Sequence, residues 1–141
     1  MIILDTNVAS ALMRPETAEP IWVWLFMQDA NALCTTSITV AEMFYGARIL
    51  PAGTRRERML DALSNYFDKE LGGRILPFDE AAALEYALLM ADRRRQGRPL
   101  PFFDAQIAAI ARAHGAAVAT RNVRDFADCG IDMVNPWETG R

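Results

Sequence analysis

The chain has 141 residues, 52% of them apolar, which is enough to bury one ordinary core and too few for two. A formal net charge of -3 excludes the overall basic field of a typical nucleic-acid-binding domain, so any contact with nucleic acid must be local. Two cysteines exclude a disulfide framework, and no apolar run reaches the length of a membrane span.

MIILDTNV opens the chain with a short strand, residues 2–4, that delivers Asp5, Thr6 and Asn7 at its carboxyl end. Glu19 and Pro20 start a helix that runs through Met27, with Pro20 at the first helical position, where its missing N–H costs nothing. That helix, PIWVWLFMQ, is apolar around almost its whole circumference. Trp22, Trp24 and Phe26 project in different directions, so either neighbouring helices surround it or part of it is an interface for a second protein. A second strand over residues 32–35 precedes a helix capped by Ser37 or Thr39, which carries Glu42 toward Leu50. After the PAG break, Thr54 caps a helix in which Met59, Leu60, Leu63, Phe67 and Leu71 recur at helical spacing, until Gly72 and Gly73 stop it.

A strand at 74–76 follows. Asp79 caps EAAALEYALLMADRRRQ, Gly97 ends it, RPLP connects rigidly, and a fifth helix over about 103–114 ends at Gly115. Strands at 117–119 and, more weakly, 132–134 close the pattern. The order βα, βαα, βαα, β, β predicts one α/β domain with a central parallel sheet of four to five strands flanked by helices.

In open parallel sheets, ligands bind beyond the carboxyl ends of the strands. Asp5 occupies that edge directly, and Asn122 and Asp125 reach it just after the VAT strand. Glu42 lies about a turn into the helix after strand two, among Val40, Met43, Phe44 and Ala47. Asp104 heads the stripe of Ile107, Ala108 and Ala111 that should pack on the sheet, with Phe102 and Phe103 beside it. Taken singly, Asp5 can cap a turn, Asp104 can be an N-cap with Phe102 as its staple, and Asp125 can form an Asx turn. Glu42 fits no such role. Mutually repelling carboxylates persist together mainly around a cation. An all-oxygen cluster calls for Mg²⁺ or Mn²⁺, and His114, at a helix C-terminus, suits the dipole better than a metal. The natural chemistry of such a centre is phosphodiester hydrolysis.

MIILDTNV, TVAEMFYG, FFDAQIAAIA and VATRNVRDF, in that order over nearly the whole chain, resemble a PIN-domain ribonuclease of the VapC kind, the toxin of a type II toxin–antitoxin pair. RILPFDEAAALEYA and the closing VNPW resemble the FitB-type branch in particular. The resemblance implies that Asp5, Glu42 and Asp104 are acidic metal-site residues, Asp5 and Asp104 binding the cation and Glu42 and Asp125 reaching it directly or through water, with Thr6 as the hydroxyl beside the site. It also implies Mg²⁺- or Mn²⁺-dependent RNA cleavage, a homodimer, a higher hetero-oligomer with a small DNA-binding antitoxin, and a cytoplasmic location. Many relatives carry aspartate where Asn122 stands, so either Asn122 or Asp125 fills the fourth acidic position, and one or two metals fit.

Fourteen of the fifteen basic residues are arginines, which suits bidentate phosphate contacts. Arg121, on the active edge, is the better phosphate candidate, and Arg14 could fold over that edge or accept a partner's carboxylate. Arg93, Arg94, Arg95 and Arg98 read as a solvated helix end before they read as an RNA patch. Two rivals remain: a non-catalytic acidic pocket that binds a partner protein, and a receiver-like phosphoacceptor switch. The latter wants a lysine at a late strand end, whereas the only lysine is Lys69. A phosphoaspartyl phosphatase would need a carboxylate where Asn7 stands.

Overall fold

A computed structural model of the chain describes residues 1–138. Its strands are β1 (Ile2–Leu4), β2 (Leu33–Thr36), β3 (Ile75–Leu76), β4 (Ala117–Ala119) and β5 (Met133–Val134), joined in one parallel sheet of order β3-β2-β1-β4-β5. The chain therefore builds outward from β1 in one direction, then returns to lay β4 on the other flank of β1. The junction of β1 and β4 is the topological switch point, where a crevice opens beyond the strand ends. Asp5 and Thr120, the residues following those two strands, meet there, and the Asp5 N–H donates to the Ala119 carbonyl at 3.0 Å.

Period-two alternation divides the core. Ile3, Cys34 and Val118 face one layer with Leu89, Ile107, Ile110 and Phe126; Leu4, Leu33 and Ala119 face the other with Val8, Ile21, Leu63 and Phe67. The helices covering the two faces are α1 (Thr6–Leu12), α2 (Pro15–Phe26), α3 (Ser37–Arg48), α4 (Thr54–Asn65), α5 (Glu80–Arg95) and α6 (Phe102–His114).

Several helix starts differ from the sequence expectation. α1 was not expected, because Thr, Asn and Ser are indifferent helix formers; it forms because the Asp5 carboxylate accepts the Thr6 N–H and caps it. α2 begins five residues before Pro20, with Pro15 at the first helical position and Pro20 on its exposed side. Thr36, rather than Ser37 or Thr39, caps α3. Thr54 is the first residue of α4 and not its cap; Gly53 precedes it at φ 147°, a conformation few other residues adopt. A π turn, Tyr66–Glu70, continues α4 and keeps Phe67 and Leu71 in the core. Asp79 caps α5 as expected.

Trp24 is only 6% exposed and belongs to the core, so it is not part of an interface. Trp22 and Phe26, 39% and 81% exposed, stack on each other at the surface with centroids 5.9 Å apart. The arginine run is structural. Arg93 is buried and donates to the carbonyls of Arg98 and Ala127, Arg95 pairs with Asp92, and Arg98 pairs with Asp128. Among the described residues no helix is long and apolar enough to cross a membrane.

Candidate functional site

Asp5 is 2% exposed, yet both carboxylate oxygens are satisfied: Oδ1 accepts the Thr6 N–H at 2.8 Å and Oδ2 accepts the Thr120 hydroxyl at 2.7 Å. Burial pushes its pKa up, against the pull of these two donors. Thr120 is a residue that sequence reading missed. Its oxygen also accepts the Asn122 N–H at 3.0 Å and the Asn7 side-chain N–H at 3.2 Å, so one hydroxyl ties the end of β4 to the end of β1.

Glu42, the sixth residue of α3, is held by a run of hydroxyls. Thr6 donates to Glu42 Oε1 at 2.9 Å, which leaves Thr39 as the donor in its 2.9 Å contact with Thr6, while Thr36 donates to Thr39 at 3.4 Å. Each hydroxyl gives one proton toward the carboxylate and accepts from behind. Aligned donors of this kind favour the ionised form. Burial raises the Glu42 pKa, the Thr6 hydroxyl opposes that rise, and the nearby Asp5 charge adds to it.

Asp104 is the third residue of α6, one turn beyond where a cap would sit, and Pro101 at that position offers no side-chain cap. The N-cap reading therefore fails, and so does its staple, since Phe102 is well exposed. What buries Asp104 is the stripe behind it, Ile107, Ala108 and Ala111, all fully buried. Its pKa is raised to about 6, first by burial and then by the charges of Asp5, Asp125 and Glu42. That one carboxyl feels all three others brings strand end, α3, α6 and the loop after β4 to one place.

Asp125 lies in the turn that Asn122 opens, with its N–H on the Asn122 carbonyl at 3.1 Å, and the fully buried Phe126 anchors that turn. Both Asn122 and Asp125 are solvent-exposed.

Among the described residues, none of the four carboxylates is paired with arginine or lysine. Nor do three acidic, histidine or cysteine side chains close into a ready-made cage. The donor set nevertheless fits a hard cation that keeps much of its own water: oxygen ligands, mutual repulsion and no basic side chain to relieve it.

Arg121 is exposed beside this edge. Its N–H donates to Asn7 Oδ1 at 3.3 Å, and its guanidinium carbon stands 4.4 Å from the centroid of the Trp137 ring. Two clefts flank α1. One, about 390 Å³, is lined by Asn7, Arg14, Arg121 and Trp137; the other, about 370 Å³, by Thr6, Glu42, Met13, Met43, Leu50 and Met59, with Arg14 shared between them. Lys69 lies in the turn that leads into β3, on the opposite edge of the sheet, which removes the receiver-like rival.

The PIN domain family model matches residues 2–131. A VapC ribonuclease of Sinorhizobium fredii is 42% identical over 138 residues, spanning 98% of this chain and 99% of that protein. The crystal structure of FitAcB from Neisseria gonorrhoeae matches with a TM-score of 0.90 at 35% identity, over 98% of this chain and 99% of that one. The crystal structure of DNA-bound VapBC from Salmonella typhimurium matches with a TM-score of 0.83 at 28% identity, over 96% and 97%.

Proposed function

The chain belongs to the PIN-domain family, and from that premise we propose that it is an Mg²⁺- or Mn²⁺-dependent endoribonuclease, the toxin of a type II toxin–antitoxin pair. The observation that carries this reading is the unpaired acidic edge, in which Asp104 feels the charges of Asp5, Glu42 and Asp125 at once. Asp5 and Asp104 hold the cation, and Glu42 and Asp125 reach it directly or through water. When bound, the cation supplies positive charge to the scissile phosphate and acidifies the attacking water. Asp125 fills the fourth acidic position, because it is the charge that Asp104 senses; the Asn122 amide orients water beside it. Arg121 positions a phosphate.

Thr6 keeps Glu42 ionised, so that Glu42 can hold the attacking water and take its proton. Thr6→Val removes that donor while keeping shape. The Glu42 pKa then rises further, and the acid limb of the kcat/KM–pH profile moves to higher pH, with about a tenfold loss near neutrality. A limb that stays in place would remove Glu42 from the role of base.

The toxin reading also requires an antitoxin. The cleft with Met13, Met43, Leu50 and Met59 opens beside Thr6 and Glu42 and suits an apolar segment that covers the acidic edge, while Arg14 and Arg55 can take its carboxylates. We place the complex in the cytoplasm, as a homodimer of toxin within a larger assembly that binds DNA through the antitoxin. The test is to purify the chain with its companion, remove the companion, and map RNA ends with Mg²⁺ and with EDTA. New ends that appear only with Mg²⁺ and without the companion are expected. A tight companion with no cleavage under any divalent ion would favour a non-catalytic acidic pocket instead.

A further inference from the structure

The 390 Å³ cleft on the other side of α1 is joined to Asp5 by side-chain hydrogen bonds. Asn7 accepts the Arg121 N–H with its carbonyl oxygen and donates to Thr120, whose hydroxyl donates to Asp5. Whatever binds against Arg121 is therefore held in register with the acidic edge. Arg121 is committed to no carboxylate among the described residues; its guanidinium lies over the Trp137 indole. Trp137 is itself fixed, packed against the second core layer with its backbone N–H on Asn135 Oδ1 at 3.0 Å. A planar cation held flat on a fixed indole is a stacking platform, and the exposed Arg14 across the cleft can meet a flanking phosphate. Glu16, also in the lining, disfavours an acidic peptide there.

We propose that this cleft seats the nucleobase adjoining the scissile phosphate, with the Trp137–Arg121 stack as the element that positions it and sets which nucleotide is cut. The proposal rests on the ribonuclease reading.

The test uses single-stranded RNA carrying one abasic residue, moved stepwise across the cut site. Wild type, Trp137→Ala, Trp137→Phe and Arg121→Gln are compared by kcat/KM with Mg²⁺ and by fluorescence anisotropy in EDTA. One abasic position beside the cut lowers wild-type kcat/KM about ten- to a hundredfold, as expected when one stacked base is lost. Trp137→Ala and Arg121→Gln lose a similar factor on intact RNA and become indifferent to that abasic position; Trp137→Phe retains most of the wild-type preference. If Trp137→Ala fails to fold, Arg121→Gln, at an exposed side chain, carries the comparison. Variants that keep the full abasic sensitivity overturn the proposal, as do variants that cut like wild type but release a protein companion. If wild type cuts no RNA, the ribonuclease reading fails separately. The anisotropy arm then decides the cleft: binding that depends on both Trp137 and the base supports it, and binding indifferent to both overturns it.

Discussion

Asp104→Asn is expected to lower Mg²⁺-dependent RNA cleavage by about two to three orders of magnitude while leaving the fold intact, read by cleavage kinetics beside circular dichroism. The substitution keeps volume and removes one negative charge from the group that faces the other three. No hydrogen bond of Asp104 within the chain is at stake, and the stripe behind it, Ile107, Ala108 and Ala111, is untouched. Asp5→Asn is a less clean experiment. Its amide would turn an N–H toward Thr120, whose oxygen already accepts from Asn7 and Asn122, so one buried donor would lose its partner at a cost of about 1–3 kcal/mol. Wild-type cleavage rates in Asp104→Asn would remove the acidic edge as the seat of the chemistry.

The cation-free protein should lose stability as the pH rises through the titration of Asp104. Its folded pKa, about 6, lies above the ordinary aspartate value of 3.8, so the folded state holds the proton more tightly than the unfolded chain. The resulting stabilisation is fully present below about pH 4 and is lost as the pH rises past 6. Asp5 and Glu42, also raised by burial, act in the same direction. In EDTA, Asp104→Asn should therefore melt above wild type at pH 7.5, and the two should converge toward pH 4. After discounting for solvent access at this half-buried group, the difference at pH 7.5 is about 1 kcal/mol, or roughly 3 °C in Tm. Mn²⁺ should reverse the order at pH 7.5 by stabilising wild type alone. Equal melting curves across the range would mean that Asp104 carries no electrostatic burden from its neighbours.

Much of this arrangement is legible in the amino-acid order. IIL before Asp5 and AVA before Thr120 are short apolar runs bounded by polar residues, and both are strands over the expected residues. The inward face of α6 follows from its Ala and Ile spacing, which brings Asp104 toward the sheet. Less legible are features that depend on contacts between distant segments. Thr120 reads as the last residue of a strand, and only its contacts with Asp5, Asn7 and Asn122 reveal that it fastens the switch point. The hydroxyl run from Thr36 to Glu42 crosses from α3 to the start of α1, a helix whose own residues announce it poorly. Pro20 looks like a helix start because nothing local says that Pro15 has already taken that position. The Arg121–Trp137 stack joins two loops after β4 and β5, and VNPW carries no sign of its cation.

The central claim is that four carboxylates on one sheet edge exist to hold a hard cation. Calorimetric titration of the purified chain with Mn²⁺ at pH 6, in two buffers of different ionisation enthalpy, tests it most directly. Saturable binding with release of a proton is predicted, because the cation must displace the proton that Asp104 retains near that pH, and the signal should vanish in Asp104→Asn. Binding of equal strength in wild type and Asp104→Asn, or RNA cleavage by a wild type that binds no Mn²⁺, would contradict the account.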